Sequence, residues 1–213
     1  MAPIKIHGSP MSTCTQRVLT TLAEKGVTSY ELVPVDLMVG EHKQPAFLAK
    51  QPFGQIPVLE HGDITLFESR AIARYIVSNF AGQGTPLEGT DAKTKALALT
   101  WLEVETNNYN PIVSIIIYQK VFSSYFGQTC DDAVVEEQLK KLEKVLDVYE
   151  THLQKHQYLA GAEFTLADLS HLPYTAMMYK AGLSAPYTSR PAVNAWWERI
   201  SSRESWKKVS GSA

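Results

Sequence analysis

The chain changes its hydrophobic grammar once. Up to residue 80 the apolar residues come in short runs cut by Gly and Pro, and beyond residue 91 they recur at helical spacing over long stretches. Strand and helix patterns bury different faces, so such a chain must fold as two structures in series. With 213 residues, both parts can bury a core of their own. In the first part Ile4 and Ile6 alternate with Lys5 and His7, and Gly8-Ser9-Pro10 makes a turn. Val18, Leu19, Leu22 and Ala23 then follow at helical spacing towards a stop at Gly26. A second strand is expected from Tyr30 to Val35, and its connection to the first through a helix makes the two a parallel pair. Pro57 to Glu60, a turn at His61-Gly62-Asp63, and Ile64 to Phe67 read as a hairpin, closed by a helix carrying Ile72, Tyr75 and Ile76. The expectation is an α/β N-terminal domain, βαβ then ββα around a mixed four-stranded sheet, followed by an all-α helical-bundle domain.

The change of grammar falls in Ala81 to Asp91, where Gly82, Gly84, Pro86 and Gly89 stand among polar residues. That composition suits a linker and divides the chain into 1–80, 81–91 and 92–213. Asp91 is placed to cap the first helix of the second part, and Asn110-Pro111 to kink or break it. Val135, Leu139, Leu142, Leu146, Tyr149 and Leu153 set one seam along a later helix, widened by Val145 and Val148 beyond a strict coiled-coil stripe. Thr165 to Asp168 has capping-box spacing, with Phe164 and Leu169 as its staple, so Asp168 is read as structural before it is read as an acid. Pro191 opens another helix, and Trp196, Trp197 and Trp206 are assigned to the bundle core.

Composition removes several function classes. Lys and Arg total 20 against 22 Asp and Glu, so no basic field exists to hold nucleic acid. The apolar run around Ile112 to Tyr118 is interrupted by Ser114 and falls short of the roughly 18 residues of a membrane span. Cys14 and Cys130 cannot build a disulfide framework, the opening Met1-Ala2-Pro3-Ile4-Lys5 has no apolar signal core, and Gly211-Ser212-Ala213 carries no lipidation or peroxisomal signal. The expectation is a cytoplasmic protein.

Three groups of residues could carry chemistry. Ser12-Thr13-Cys14 lies where a helix begins and offers unpaired N–H groups to an anion, although a hydroxyl there equally serves as a cap. No Gly-x-Ser-x-Gly elbow supports a hydrolase, and Cys14 has no Cys-x-x-Cys partner for redox exchange. His152 and His156 stand four apart on a helix, but no third ligand accompanies them, so no metal is expected. The most specific tracts are Pro52-Phe53-Gly54-Gln55-Ile56-Pro57 and Phe67-Glu68-Ser69-Arg70-Ala71-Ile72.

Placed on a βαβ-ββα frame after an N-terminal hydroxyl, these tracts resemble the cytosolic glutathione S-transferases. Gly40-Glu41-His42-Lys43 and Ser12 make the chain similar to the phi class, the plant type with an active-site serine. The resemblance implies a thioredoxin-like first domain, glutathione as co-substrate, and conjugation of its thiolate to hydrophobic electrophiles, with hydroperoxide reduction as a related reaction. It implies Ser12 as the catalytic hydrogen-bond donor. Glutathione-binding positions are then Ser12, Thr13, His42, Lys43, Gln55, Ile56, Glu68 and Ser69, with Ile56-Pro57 cis. Structural roles fall to Pro57, Thr165 and Asp168. Met11, Leu37, Ile115, Tyr118, Phe122 and Tyr179 are the candidates for the hydrophobic substrate, expected in a cleft between the domains. Phe53 is the candidate anchor of a homodimer, and detoxification and stress response are the implied setting. Two other functions stay open: a carrier of hydrophobic small molecules without turnover, and a thiol-disulfide transferase using Cys14. Cys14 is expected to face away from glutathione, because two helical positions turn a side chain by about 200° from the Ser12 direction.

Overall fold

The computed structural model describes residues 3–211, so the expectations resting on Met1, Ala2, Ser212 and Ala213 lie outside the described residues. Two compact units emerge. The first runs to Pro86 and takes in the chain again from Glu204, and the second is Leu87–Arg203.

In the first unit β1 (Ile4–Gly8) leads through α1 (Thr13–Glu24) to β2 (Tyr30–Pro34). A 3₁₀ turn (Glu41–Lys43) and the single turn α2 (Pro45–Leu48) precede the hairpin β3 (Val58–His61) and β4 (Ile64–Leu66), and α3 (Ser69–Asn79) follows. The sheet order is β2-β1-β3-β4, with β1 parallel to β2 and antiparallel to β3, which is the mixed four-stranded sheet expected. Register pairs Ile6 with Leu32 and with Leu59, so the apolar sides of the strands fall together. Ile4, Ile6, Val18, Leu22, Leu59, Ile72 and Ile76 form the buried core under α1 and α3. Gly26 ends α1 with φ +67, as a C-terminal stop requires. At Gly8 a Cβ would stand 2.6 Å from Thr15 Oγ1, so the end of β1 approaches α1 closely only because it has no side chain.

The second unit is helical: α4 (Ala92–Val104), α5 (Asn110–Ile117), α6 (Asp132–Leu153), α7 (Leu166–Lys180), the single turn α8 (Ala185–Thr188) and α9 (Pro191–Ser201). Asp91 caps α4 by accepting from Thr94 N at 2.9 Å. Between α4 and α5 the backbone widens into a π-helical segment, Glu105–Tyr109, just ahead of Pro111, whose ring cannot supply an N–H to a regular ladder. Val135, Leu142, Leu146, Tyr149 and Leu153 are buried along α6, as the seam predicts, whereas Leu139 is only half-buried and Val148 is exposed, so Val148 does not widen the buried stripe as expected. Asp168, fully buried on α7, accepts from Leu159 N, Thr165 N, Thr165 Oγ1 and Trp196 Nε1 at 2.9 to 3.2 Å. Burial pushes its carboxyl up, while those four donors pull it down.

The end of the chain departs from the expected division. Helix α10 (Glu204–Ser210) belongs to the first unit and packs on α1, so Trp206, buried on it, is not part of the bundle core assigned from sequence. Amphipathic spacing says that a helix has a buried face and not which partner covers it. The stretch before Pro86 also belongs to the first unit: Thr85 N donates to Glu24 O at 2.9 Å and Thr85 Oγ1 to Glu24 Oε2, while Ser205 Oγ donates to the other oxygen of the same carboxylate.

Candidate functional site

A hollow of about 400 Å³ opens in the first unit. Cys14 of α1, His42 and Lys43 of the 3₁₀ turn, Gln55 and Ile56 before the hairpin, and Glu68 and Ser69 at the head of α3 all line it. Each comes from a loop or helix end held by the sheet, the usual way a rigid scaffold presents binding groups.

At the head of α3, Glu68 has φ 67 and ψ 107, and among the described residues it is the one non-glycine with positive φ. Such a conformation costs on the order of 1–3 kcal/mol and persists only where its surroundings impose it. The first-turn N–H groups of α3 that follow have no acceptor in their own helix and carry the positive end of its dipole. Beneath them Arg17 is fully buried, and its Nη1 donates to Ser69 Oγ at 2.7 Å and lies 3.7 Å from Cys14 Sγ.

The opposite wall is built from two chain segments clamped together. Lys43 Nζ donates to the carbonyls of Phe53 and Gly54 at 3.0 and 2.8 Å, which fixes its ammonium over the loop and commits two of its three protons. Gly54 has φ +60, and a Cβ there would stand 2.7 Å from His42 O, so this clamp requires glycine. His42 Nδ1 is buried without a hydrogen-bond partner. Desolvation, then the Lys43 charge, holds the His42 ring below its usual pKa. The Ile56-Pro57 peptide bond is cis.

Ser12 caps α1 with extended backbone, φ −75 and ψ 126, and its Oγ accepts from Thr15 N at 3.3 Å. That bond uses a lone pair and leaves the hydroxyl proton for another acceptor. The hollow thus gathers His42, Lys43, Gln55, Ile56, Glu68 and Ser69, while Ser12, the cap of α1, and buried Thr13 are not among the residues that line it. Cys14 lines the hollow, contrary to expectation. The helical-wheel angle does not apply between the two, since Ser12 is the cap in extended conformation and not a helical residue. Sequence reasoning also missed Gln51, Gly54 and Arg70 in the lining and Arg17 below it.

Of the apolar candidates in the first unit, Leu37 lines the hollow and Met11 is 78% exposed. In the second unit Ile115 and Tyr118 are exposed and Phe122 is half-buried, with Tyr118 stacked on Phe126. Tyr179 is taken up in packing against Trp197, ring centres 5.1 Å apart. Phe53 is 66% exposed, resting edge-on against Phe67. The His152 and His156 rings pack at a tilt with centroids 4.5 Å apart, and no cluster of three or more metal-ligating residues occurs among the described residues. Nor is any helix among them long and apolar enough to cross a membrane.

Comparison with known proteins identifies the family. The glutathione S-transferase N-terminal domain family matches residues 2–78, and the C-terminal domain family matches residues 113–204. The chain belongs to the glutathione S-transferase family. Glutathione S-transferase 3 of Zea mays is 49% identical over 98% of this chain and 94% of its own length. The crystal structure of glutathione transferase F7 from Populus trichocarpa superposes with a TM-score of 0.95 at 50% identity, covering 98% of each chain. Maize glutathione S-transferase I, solved in complex with an atrazine glutathione conjugate, is 40% identical with a TM-score of 0.90, covering 99% of this chain and 97% of that one. The F-series plant relatives place the chain in the phi class, as the motifs suggest. It is a glutathione transferase with glutathione as co-substrate.

Proposed function

We propose that this enzyme conjugates glutathione to hydrophobic electrophiles, with Ser12 as the donor that holds the sulfur as thiolate. The observation that carries the reading is a hollow lined by Gln55, Ile56, Glu68, Ser69 and Cys14, two residues along the chain from Ser12, whose oxygen accepts from Thr15 N and leaves its proton uncommitted. Glutathione has two carboxylates, an ammonium and a thiol; the lining offers groups for the first three, and Ser12 is assigned to the thiol. The γ-glutamyl carboxylate meets Ser69 and the first turn of α3, and Glu68 faces the ammonium. The Ile56 backbone pairs with the cysteinyl unit, and Gln55 adds a side-chain hydrogen bond. His42 and the remaining proton of Lys43 serve the glycyl carboxylate.

Ser12 stays protonated throughout. The thiolate attacks the electrophilic carbon, its electron pair forms the new S–C bond, and a leaving group such as chloride departs with the bonding pair. The same thiolate can attack an organic hydroperoxide, breaking the O–O bond to leave glutathione sulfenic acid and, after protonation, the alcohol, and a second glutathione then converts the sulfenic acid to glutathione disulfide and water. Leu37 on the hollow and exposed Met11 offer apolar contact to the electrophile from the first unit. We further propose a cytoplasmic homodimer in which exposed Phe53 anchors the partner, working in detoxification and stress response. One observation favours a second reading: Cys14 lies on the hollow, as a thiol-disulfide transferase would need. The deciding experiment compares initial rates of conjugation to a chlorodinitrobenzene for wild type, Ser12→Ala and Cys14→Ser. Loss with Ser12 alone supports the serine mechanism, loss with Cys14 alone the thiol reading, and saturable ligand binding without turnover a carrier.

A further inference from the structure

Arg17 stands in the middle of α1, where every polar group costs free energy to bury unless it is hydrogen-bonded, yet its side chain is fully buried. Its Nη1 reaches two side chains, Ser69 and Cys14, and both of them line the hollow. A guanidinium has donors only. Ser69 must therefore accept in the 2.7 Å bond, and its single hydroxyl proton points elsewhere. Ser69 also opens α3, where the first-turn N–H groups already favour an anion. A serine hydroxyl without such a fixed donor rotates among its staggered positions and can accept from a ligand as readily as donate to it.

We propose that Arg17 is a positioning residue for glutathione: by donating to Ser69 Oγ, it commits the Ser69 hydroxyl to donate to the γ-glutamyl carboxylate. The proposal rests on the glutathione reading of the hollow and assigns to α1 a part in substrate recognition. Its guanidinium never touches the substrate; it sets the direction of the hydrogen bond that does.

The test uses two substrates, glutathione and the tripeptide lacking only this carboxylate, γ-aminobutyryl-cysteinyl-glycine. The readout is the ratio of their KM values, which a general loosening of the fold leaves unmoved because both tripeptides share every other contact. The wild-type ratio should be about tenfold or more, as expected of a charge-assisted bond. Arg17→Met should cut the ratio by about fivefold, with kcat for glutathione within about threefold of wild type. Arg17→Lys, one ammonium on a shorter stem, should cut it by about twofold to fivefold. Ser69→Ala should match Arg17→Met, and combining the two should add less than about twofold, since both act through one hydroxyl.

A ratio within about 1.5-fold of wild type in any folded Arg17 variant overturns the proposal, and where the Met variant does not fold, the Lys variant decides by the same criterion. Independently, Ser69→Ala should lower the melting temperature of the ligand-free protein and Ser69→Thr should restore it, because a buried hydrogen bond from Arg17 Nη1 is lost and regained; an unchanged melting temperature removes the premise. A wild-type ratio near one overturns the glutathione assignment of this corner and the proposal with it, whereas a high wild-type ratio with unmoved variants overturns the proposal alone.

Discussion

Replacing Ser12 by Ala removes two interactions of different size. The first is the cap: the Thr15 N to Ser12 Oγ bond is long, at 3.3 Å, so its loss costs about 1 kcal/mol, near the middle of the range for such caps. For a chain of this length that lowers the melting temperature by about 2–4 °C, and the enzyme stays folded. The second is the donor to the bound sulfur. A hydrogen bond to a charged partner is worth about 1.5–3 kcal/mol. At 1.36 kcal/mol per pKa unit, its loss raises the bound thiol by about one to two units. A free thiol with pKa about 8.5 is only a few per cent ionised at neutral pH, so the bound form should fall back towards that value.

Turnover at pH 6.5 should then drop by about ten- to a hundredfold, and the deficit should shrink as pH rises and the thiol ionises unaided. Initial rates with a chlorodinitrobenzene between pH 6 and 9, together with the ultraviolet absorbance of the thiolate in the binary complex, measure both quantities. A deficit that stays constant across that range, or an unchanged thiolate titration, would show that Ser12 acts on something other than ionisation.

Four further outcomes follow from the geometry. S-methylglutathione should protect Cys14 from alkylation by iodoacetamide, because the sulfur lines the hollow it fills, and should leave Cys130 unprotected; equal labelling of Cys14 with and without ligand, read by mass spectrometry, would refute the placement. Asp168→Ala strands four buried donors at about 1–3 kcal/mol each, comparable with the whole stability of a domain, so urea unfolding should find little or no folded protein, while Asp168→Asn keeps an acceptor and should lose less. His42 has a pKa lowered by burial, so the unfolded chain binds more protons than the folded one below its ordinary value of about 6.5. Its contribution to stability is therefore lost as pH falls from there towards the folded value, and His42→Gln should flatten the melting-temperature profile in that window. Phe53→Ala should make the proposed dimer dissociate at low micromolar concentration in sedimentation velocity, and unchanged dissociation would end its role as anchor.

Where sequence carried the reading, it did so through local rules. Alternation at Ile4 and Ile6, the Gly62 turn and the helix stop at Gly26 each express a backbone requirement that needs no knowledge of distant contacts. The capping spacing of Thr165 and Asp168 is of the same kind, but the Trp196 indole and the Leu159 amide that share the carboxylate come from far along the chain or from an unpatterned turn. Six of the eight glutathione positions meet in the hollow because they sit in two compact motifs and one turn. Cys14 was misplaced by extending a helical angle past the first helical residue. Arg17 was passed over because a charged residue in a helix is read as solvated; the signal that could have found it is the run of Thr15, Val18, Leu19, Thr20, Thr21 and Leu22 around it, which leaves α1 almost no exposed side. Trp206 shows the remaining limit, since its burial is legible and the partner that covers it is not.

Because α10 covers α1, the first unit is completed by residues made long after its sheet. At synthesis rates of roughly 5–20 residues per second, the 118 positions separating Pro86 from Glu204 (204 − 86) take about 6–24 s to appear. For that interval one flank of α1 lacks the helix that covers it. Any later fraying of the last two turns would reopen the same flank, and the residues around Trp206 should register it first, as faster amide exchange and a shift in that indole's fluorescence.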